Sequence, residues 1–115
     1  MPNLGKMLFE DGVSAALKGD YATAMRLWRP LANKGVVEAQ FNLGVMYAKG
    51  EGVPQDNVIA HMWFTLAATK GDADASTNRD NATALMTPAQ IAEAQKLARE
   101  WKPKEPVQVS RLLAA

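Results

Sequence analysis

Apolar residues recur along most of the chain at spacings of three and four, which is the pattern of an amphipathic helix. Two runs show it best, one starting at Asp20 and the other at Asp56. Their apolar positions are Ala24, Leu27, Trp28 and Leu31 in the first run, and Ala60, Trp63, Phe64, Ala67 and Ala68 in the second. No stretch alternates apolar and polar residues as a half-buried strand would. The pattern therefore predicts an all-α protein.

Residues that start and end helices occur at matching places in the two runs. Asp20 and Asp56 are short acceptors that can cap the first free backbone N–H groups of a helix. Gly35 and Gly71 can adopt the positive φ with which many helices end. Both runs are therefore predicted to be bounded helices, each followed by a tight turn.

Four more helices complete the predicted set. One that includes Phe9 opens the chain, and one covers 36–49. Gly44 lies inside the latter, which indicates a point where the next helix approaches closely. Another is predicted from Ala73 to about Met86. Thr87-Pro88-Ala89-Gln90 is a capping box with proline at the first helical position, so it predicts the start of the last helix.

The chain contains an internal repeat. The segment from Asp20 matches the one from Asp56 at an offset of 36 residues, and the segments from Phe9 and Phe41 match at an offset of 32. Such units stack because each exposes an apolar face that only a neighbour can bury. The sequence predicts one domain over 1–101, followed by a flexible tail over 102–115. The helix-pair units of the domain are predicted at about 6–35, 36–71 and 72–101.

Composition narrows the function classes. The chain has 115 residues, with 13 Lys and Arg against 12 Asp and Glu, so its net charge is +1. Nucleic-acid binding is not expected, because it relies on clustered excess positive charge. The longest apolar stretch, 58–69, is too short to cross a membrane. The N-terminal residues do not form a signal peptide, which predicts a cytoplasmic location, or a periplasmic or secreted one if a leader was removed.

Candidate catalytic and metal-binding residues are few. The chain has no cysteine and one histidine, His61, with no Asp or Glu four residues away along its helix. We predict that His61 lies at the surface or in a groove. A triad of His61 with Ser14 or Ser76 lacks the local motif that supports such an assignment. The sequence therefore predicts no catalytic residue, no metal site and no cofactor.

The segment from Ala39 to Gly71 carries a specific motif. It contains Leu43-Gly44, Tyr47 and GEGVPQD, followed by Ala60, Trp63 and Ala67-Ala68. These residues resemble the Sel-one-like repeat family, a branch of helical repeats related to tetratricopeptide repeats. The first unit resembles the motif more loosely, with Gly12 at the position of its glycine. The third departs from it at Arg79-Asp80, as a divergent capping unit does.

The resemblance implies a right-handed α/α superhelix (solenoid) of about three antiparallel helix pairs, whose inner surface binds a protein or peptide partner. It implies a non-catalytic adaptor or scaffold, and many bacterial members are exported. A branch with reported β-lactam binding is disfavoured, because its disulfide framework requires cysteines. The alternatives are a cell-wall-associated hydrolase or β-lactam-binding protein, and a structural subunit of a larger assembly.

The first helix of the middle unit carries the candidate partner site. The face beside its packing residues lines the inner surface of tetratricopeptide-like solenoids, and an apolar strip with charged edges suits a peptide or an amphipathic helix. The alternative for Phe41 is that it only packs on its neighbours. The protein is expected to be a monomer or a weak homodimer. The predicted site residues are Phe41, Val45, Lys49, Glu38 and, one unit earlier, Phe9.

Overall fold

The computed structural model describes residues 3–104, which form six α-helices and no strand. The all-α prediction is thereby confirmed for this part of the chain. The handedness of the superhelix stays a prediction, and residues 105–115 of the predicted tail lie outside the described residues. The helices are α1 (Leu4–Leu17), α2 (Tyr21–Asn33), α3 (Val37–Lys49), α4 (Asn57–Thr69), α5 (Ala73–Thr83) and α6 (Pro88–Glu100).

The predicted helix starts are confirmed. Asp20, Asp56 and Asp72 each accept a hydrogen bond from a backbone N–H in the first turn of α2, α4 and α5. At the start of α6, Thr87 Oγ1 accepts from the N–H of Gln90 at 3.2 Å, and Gln90 Oε1 accepts from the N–H of Thr87 at 2.9 Å. Such caps satisfy donors that have no partner within the helix, and each stabilises it by about 1 kcal/mol.

The predicted ends at Gly35 and Gly71 are also confirmed, and both residues have a φ of +99°. At the first of these turns, the N–H of Gly35 donates to Ala32 O at 3.0 Å and the N–H of Val36 donates to Leu31 O at 3.1 Å. This pair of bonds occupies carbonyl groups at the end of α2 and requires a left-handed residue, which favours glycine. The turn reverses the chain so that α3 packs back on α2.

The end of α5 differs from the prediction. The helix stops at Thr83, three residues before Met86, where the sequence placed its end. The N–H of Leu85 donates to Ala82 O and that of Met86 to Thr83 O, so the chain tightens into three-residue turns. These turns bring the backbone to the extended conformation of the N-cap Thr87, which α6 needs.

The third helix pair also differs from the first two in its packing. Successive helices pack on one another from α1 to α5, whereas α6 packs on α4 rather than closely on α5. α5 is polar and buries only Ala75 and Ala82, so it offers α6 little apolar surface. Trp101, directly after α6, instead packs edge-on against Trp63 of α4, with ring centroids 6.4 Å apart.

The core lies where the second helices of the first two pairs meet their neighbours. Trp63 is 6% exposed and Ala67 is fully buried, as the predicted apolar stripe requires. Trp28 and Leu43 join Trp63 in the larger core cluster. A smaller cluster around Phe64 connects α3, α4 and α5. The two clusters hold α3 and α4 in place as the central pair of the described chain.

Candidate functional site

α1, α3 and α5, the first helices of the three pairs, form a surface that we term the A-helix face. Two depressions open on it, the α1–α3 pocket and the α3–α5 pocket, at opposite ends of α3. The predicted site residues are divided between them. Phe9 and Glu38 line the α1–α3 pocket, Val45 and Lys49 line the α3–α5 pocket, and Phe41 lines neither. The structure therefore does not bring the five residues into one pocket.

The α3–α5 pocket has an apolar floor and a polar rim. Its volume is about 320 Å³, at the lower end of the range for small-molecule sites and suited to one or two side chains. Phe64, which is 2% exposed, is the most buried of the residues that line it. Leu85 lies in the turn before α6 and is 74% exposed. The residues that line the pocket are Val45, Ala48, Lys49, Asn57, Phe64, Asn78, Asn81, Ala82 and Leu85.

Lys49 supplies a positive charge at the edge of this pocket. Its ammonium lies 3.8 Å from the Glu51 carboxylate, and its side chain is 65% exposed. An ion pair this exposed contributes little to stability, because water screens it and two side chains must be held in place. Lys49 therefore remains accessible to a second carboxylate.

Sequence reasoning missed the part of the pocket that α5 contributes. Asn78 and Asn81 lie on α5, three residues apart and on the same side of the helix. The internal repeat could have predicted this contribution of the third unit. The offset of 36 residues that relates the units places Asn81 at the position of Val45 and Leu85 at that of Lys49. Extending the predicted face into the third unit would have identified Asn81 and Leu85.

Phe41 has a structural contact as well as a place on the A-helix face. Its ring is half-buried and lies 5.9 Å from that of Phe64, at an angle of 53°. It belongs to the partly buried shell around the core cluster of α3, α4 and α5. Tilted aromatic pairs of this kind stabilise a protein beyond the area that they bury. Phe41 therefore supports the floor of the α3–α5 pocket from the side.

The α1–α3 pocket is bordered by charges of both signs. Lys6, Glu10 and Glu38 stand around it, and Phe9 forms part of its apolar lining. Trp28 holds Phe9 in place through two contacts. The two rings lie 5.9 Å apart, and Trp28 Nε1–H donates to Phe9 O at 3.1 Å. The pocket has a volume of about 450 Å³.

The prediction that His61 lies at the surface or in a groove is wrong, because its side chain is 3% exposed. His61 Nε2 lies 3.0 Å from Thr83 Oγ1, and Nδ1 lies 3.3 Å from Thr65 Oγ1. The Thr83 hydroxyl donates to Arg79 O, so it accepts from the Nε2–H of His61. The ring thus connects α4 to α5. Its hydrogen-bond partners are threonines and not the serines of a hypothetical triad.

The surroundings of His61 disfavour its charged form. Burial lowers the pKa of the imidazole below its usual value of 6.5, and the nearby Arg79 guanidinium lowers it further, whereas the Asp80 carboxylate acts in the opposite direction. His61 is therefore neutral at pH 7. A neutral ring on α4 whose Nε2–H donates to the Thr83 hydroxyl on α5 is suited to joining the two helices.

The described residues were compared with what metal binding and membrane crossing require of side chains and helices, and they meet neither requirement. Within residues 3–104, no three His, Cys, Asp or Glu side chains lie close enough together to hold a metal ion. None of the six described helices combines the length and the apolar character that crossing a bilayer requires. The chemistry offered by the A-helix face is that of apolar, amide and charged contacts.

Comparison with known proteins identifies the family. No curated protein matches the chain, but a family model described as the Sel1 repeat matches residues 3–36 and 37–72, which together make up more than half of it. The matches contain the first two helix pairs, and the third predicted unit, 72–101, lies beyond them. Sel1 repeats are generally protein-interaction modules and typically have no catalytic function. The chain is a member of the Sel1 repeat family.

Proposed function

We propose that the chain binds an extended segment of a partner protein along the A-helix face, with one apolar side chain of the partner seated in the α3–α5 pocket. The observation that carries this proposal is the composition of that pocket. An apolar floor at Phe64 and Val45 is surrounded by hydrogen-bonding side chains rather than closed by a neighbouring helix. Pockets of this kind bind an apolar anchor and orient it with a few polar groups.

The rim indicates the chemistry of the bound segment. Asn57, Asn78 and Asn81 each carry an amide that both donates and accepts, which matches the alternating N–H and C=O groups of an extended backbone. Lys49 favours a carboxylate at one edge. The segment we propose therefore combines an apolar residue with a nearby acidic group, either a side chain or a C-terminus.

The α1–α3 pocket extends the proposed interface. Phe9 and Glu38 contact the partner there, and Phe41 lies between the two pockets on α3. Because desolvated aromatic and aliphatic side chains dominate most interfaces, we expect the α3–α5 pocket to contribute more binding energy than the charged rim of the α1–α3 pocket. The partner lies along α3 in this arrangement and contacts both ends of the helix.

A catalytic function has less support. A hydrolase that used histidine as its base would need an accessible ring, and His61, the one histidine of the chain, is 3% exposed and lies 3.0 Å from Thr83 Oγ1. A structural subunit of a larger assembly is a second candidate, which capture experiments distinguish from an adaptor. Such a subunit would recover only copies of itself.

The test compares three forms of the 115-residue chain as bait in the organism that encodes it. Wild type, Leu85→Ala together with Asn81→Ala, and Leu17→Ala are tagged and captured, and bound proteins are quantified by mass spectrometry. Leu17 is the matched control, because it is 84% exposed and lines neither pocket. We expect a protein that wild type and Leu17→Ala recover equally and that the pocket variant recovers at least about tenfold less.

The affinity of the purified chain for that protein is then measured for each variant and also for Lys49→Glu. Equal recovery by all three baits would show that the partner does not use the α3–α5 pocket. Recovery of the bait alone would favour the structural subunit. Circular dichroism of each variant checks that helicity is unchanged, so that a loss of binding is not a loss of fold.

A further inference from the structure

One side of α1 exposes three large apolar side chains. Leu4, Met7 and Leu8 are 67%, 48% and 40% exposed. Their helical positions place them away from Lys6 and Phe9, which line the α1–α3 pocket on the other side of α1. A cluster of exposed leucine and methionine on one helix face marks a surface that another segment covers.

The repeat shows what covers the same positions one unit later. At the offset of 32 residues, Met7 and Leu8 correspond to Ala39 and Gln40 of α3. Ala39 and Gln40 are fully buried, and Gln40 Nε2 donates to Ala32 O of α2 at 3.2 Å. The exposed side of α1 is therefore a packing surface of the solenoid that has no neighbour within residues 3–104.

The described chain ends close to this helix. Residues 101–104 run from the end of α6 to the end of α2, where the N–H of Lys104 donates to Asn33 O at 2.7 Å. That end of α2 lies beside the start of α1, since a Cβ on Gly5 would lie 3.9 Å from Leu31 Cδ2. The chain thus returns from the third helix pair to the first before residue 105.

The eleven residues 105–115 are long enough and apolar enough to cover the exposed side of α1. Extended at about 3.3 Å per residue, the eight residues from Lys104 to Leu112 reach about 26 Å. That reach exceeds the length of α1, about 21 Å for its 14 residues. The segment contains four large apolar residues and only two charged ones. Its apolar residues are Val107, Val109, Leu112 and Leu113.

A second copy of the chain, stacked with its α6 over α1, would fit this surface poorly. If copies stacked end to end, α6 of one copy would cover α1 of the next. The exposed residues of α6 include Lys96, Arg99 and Glu100, and burying their charged groups against leucines would be unfavourable. We propose that the chain's own segment 105–115 covers the apolar surface formed by Leu4, Met7 and Leu8.

The test uses the 115-residue chain, which contains no cysteine and so accepts cysteine pairs without interference. One variant combines Asp11→Cys, beside the patch, with Ala114→Cys. The control combines Lys6→Cys, on the other side of the same helix, with Ala114→Cys. Positions 6 and 11 are both exposed, so an unbound tail would reach each of them. We expect the disulfide within one chain to form about tenfold faster from position 11.

A third variant adds Leu112→Asp and Leu113→Asp to the Asp11→Cys pair and is expected to abolish that difference. Equal rates from positions 6 and 11 would overturn the proposal. Disulfides that join two chains, seen as dimers under non-reducing conditions, would show that a second copy covers the patch and would also overturn it. No residue of the α3–α5 pocket is changed, so this outcome and that of the capture experiment are independent.

Discussion

The ring of Phe64 occupies the space where a side chain on Gly44 would lie. A Cβ at Gly44 would come within 2.5 Å of Phe64 Cε1 and 2.6 Å of Phe64 Cδ1. The same relationship occurs one unit earlier, where a Cβ at Gly12 would overlap the indole of Trp28. Phe64 also lines the α3–α5 pocket, so the residue that packs against Gly44 forms part of the candidate site.

Replacing Gly44 with alanine is expected to destabilise the protein, although alanine is the better helix former. Alanine gains about 1 kcal/mol in helix propensity, but a methyl group forced against the Phe64 ring costs about 1–3 kcal/mol. We therefore expect Gly44→Ala to lower the free energy of unfolding, measured in urea, by about 1 kcal/mol.

Gly5→Ala is the matched control for that substitution. It also lies in a helix, but its methyl group would meet Asn3 Oδ1 at 3.4 Å and Leu31 Cδ2 at 3.9 Å, which are ordinary contacts. We expect the stability of Gly5→Ala to be equal to that of wild type or higher. If Gly44→Ala unfolded at the same urea concentration as Gly5→Ala, the Phe64 ring would not exclude a side chain at position 44.

Much of the fold was predictable because local chemistry determines it. Asp20, Gly35 and Gly44 each have a role that follows from backbone geometry or steric fit, and each plays that role in the structure. The position of α6 was not predictable in this way. It depends on how little apolar surface α5 offers and on where Trp101 finds a partner, both of which are tertiary relationships.

The candidate site was only partly predictable from the sequence. Helical periodicity placed Val45 and Lys49 on one face of α3, and both line the α3–α5 pocket. Periodicity within a single helix cannot show which residues of other helices stand opposite. For that reason Asn78 was missed. The burial of His61 was missed because it depends on α5 packing over α4.

Lys70 joins three separate parts of the structure. Its Nζ donates to Gly35 O, in the turn between α2 and α3, at 2.6 Å, and lies 5.9 Å from the ring centroid of Trp101. We expect Lys70→Ala to lower the free energy of unfolding in urea by about 1 kcal/mol, because the hydrogen bond and the cation–π contact are lost. Lys34→Ala is the control, since Lys34 occupies the equivalent position one unit earlier and is exposed, as Lys70 is. An equal effect of both substitutions would contradict the role of Lys70.

The stability of Phe41 variants shows whether an aromatic residue on the A-helix face also stabilises the fold. Truncation removes the contact with Phe64, so we expect Phe41→Ala to cost about 2 kcal/mol in urea unfolding. Phe41→Leu should lose less than half of that, because most of the apolar contact is kept. The control is Leu17→Ala, whose side chain is 84% exposed and should have little effect. If Phe41→Ala were as stable as wild type, the packing of Phe41 on Phe64 would be energetically unimportant.

His61 predicts how stability depends on pH. Burial, assisted by Arg79, lowers its pKa in the folded protein below 6.5, so the unfolded chain binds a proton more readily. The stabilising contribution is complete at about pH 7.5, where the ring is neutral in both states, and falls as the pH drops through 6.5 towards the folded-state pKa.

The single imidazole makes this prediction direct to measure. We expect an NMR titration of His61 to give a midpoint below 6.5, and urea unfolding to show lower stability at about pH 5.5 than at about pH 7.5. His61→Gln should reduce that difference, because glutamine does not titrate, whereas the carboxylates that remain titrate mainly at lower pH. Asp20 is one of these, since hydrogen bonds from Thr23 lower its pKa. A midpoint at or above 6.5 would mean that water reaches the ring, and the link between α4 and α5 would then be looser than the distance from His61 Nε2 to Thr83 Oγ1 indicates.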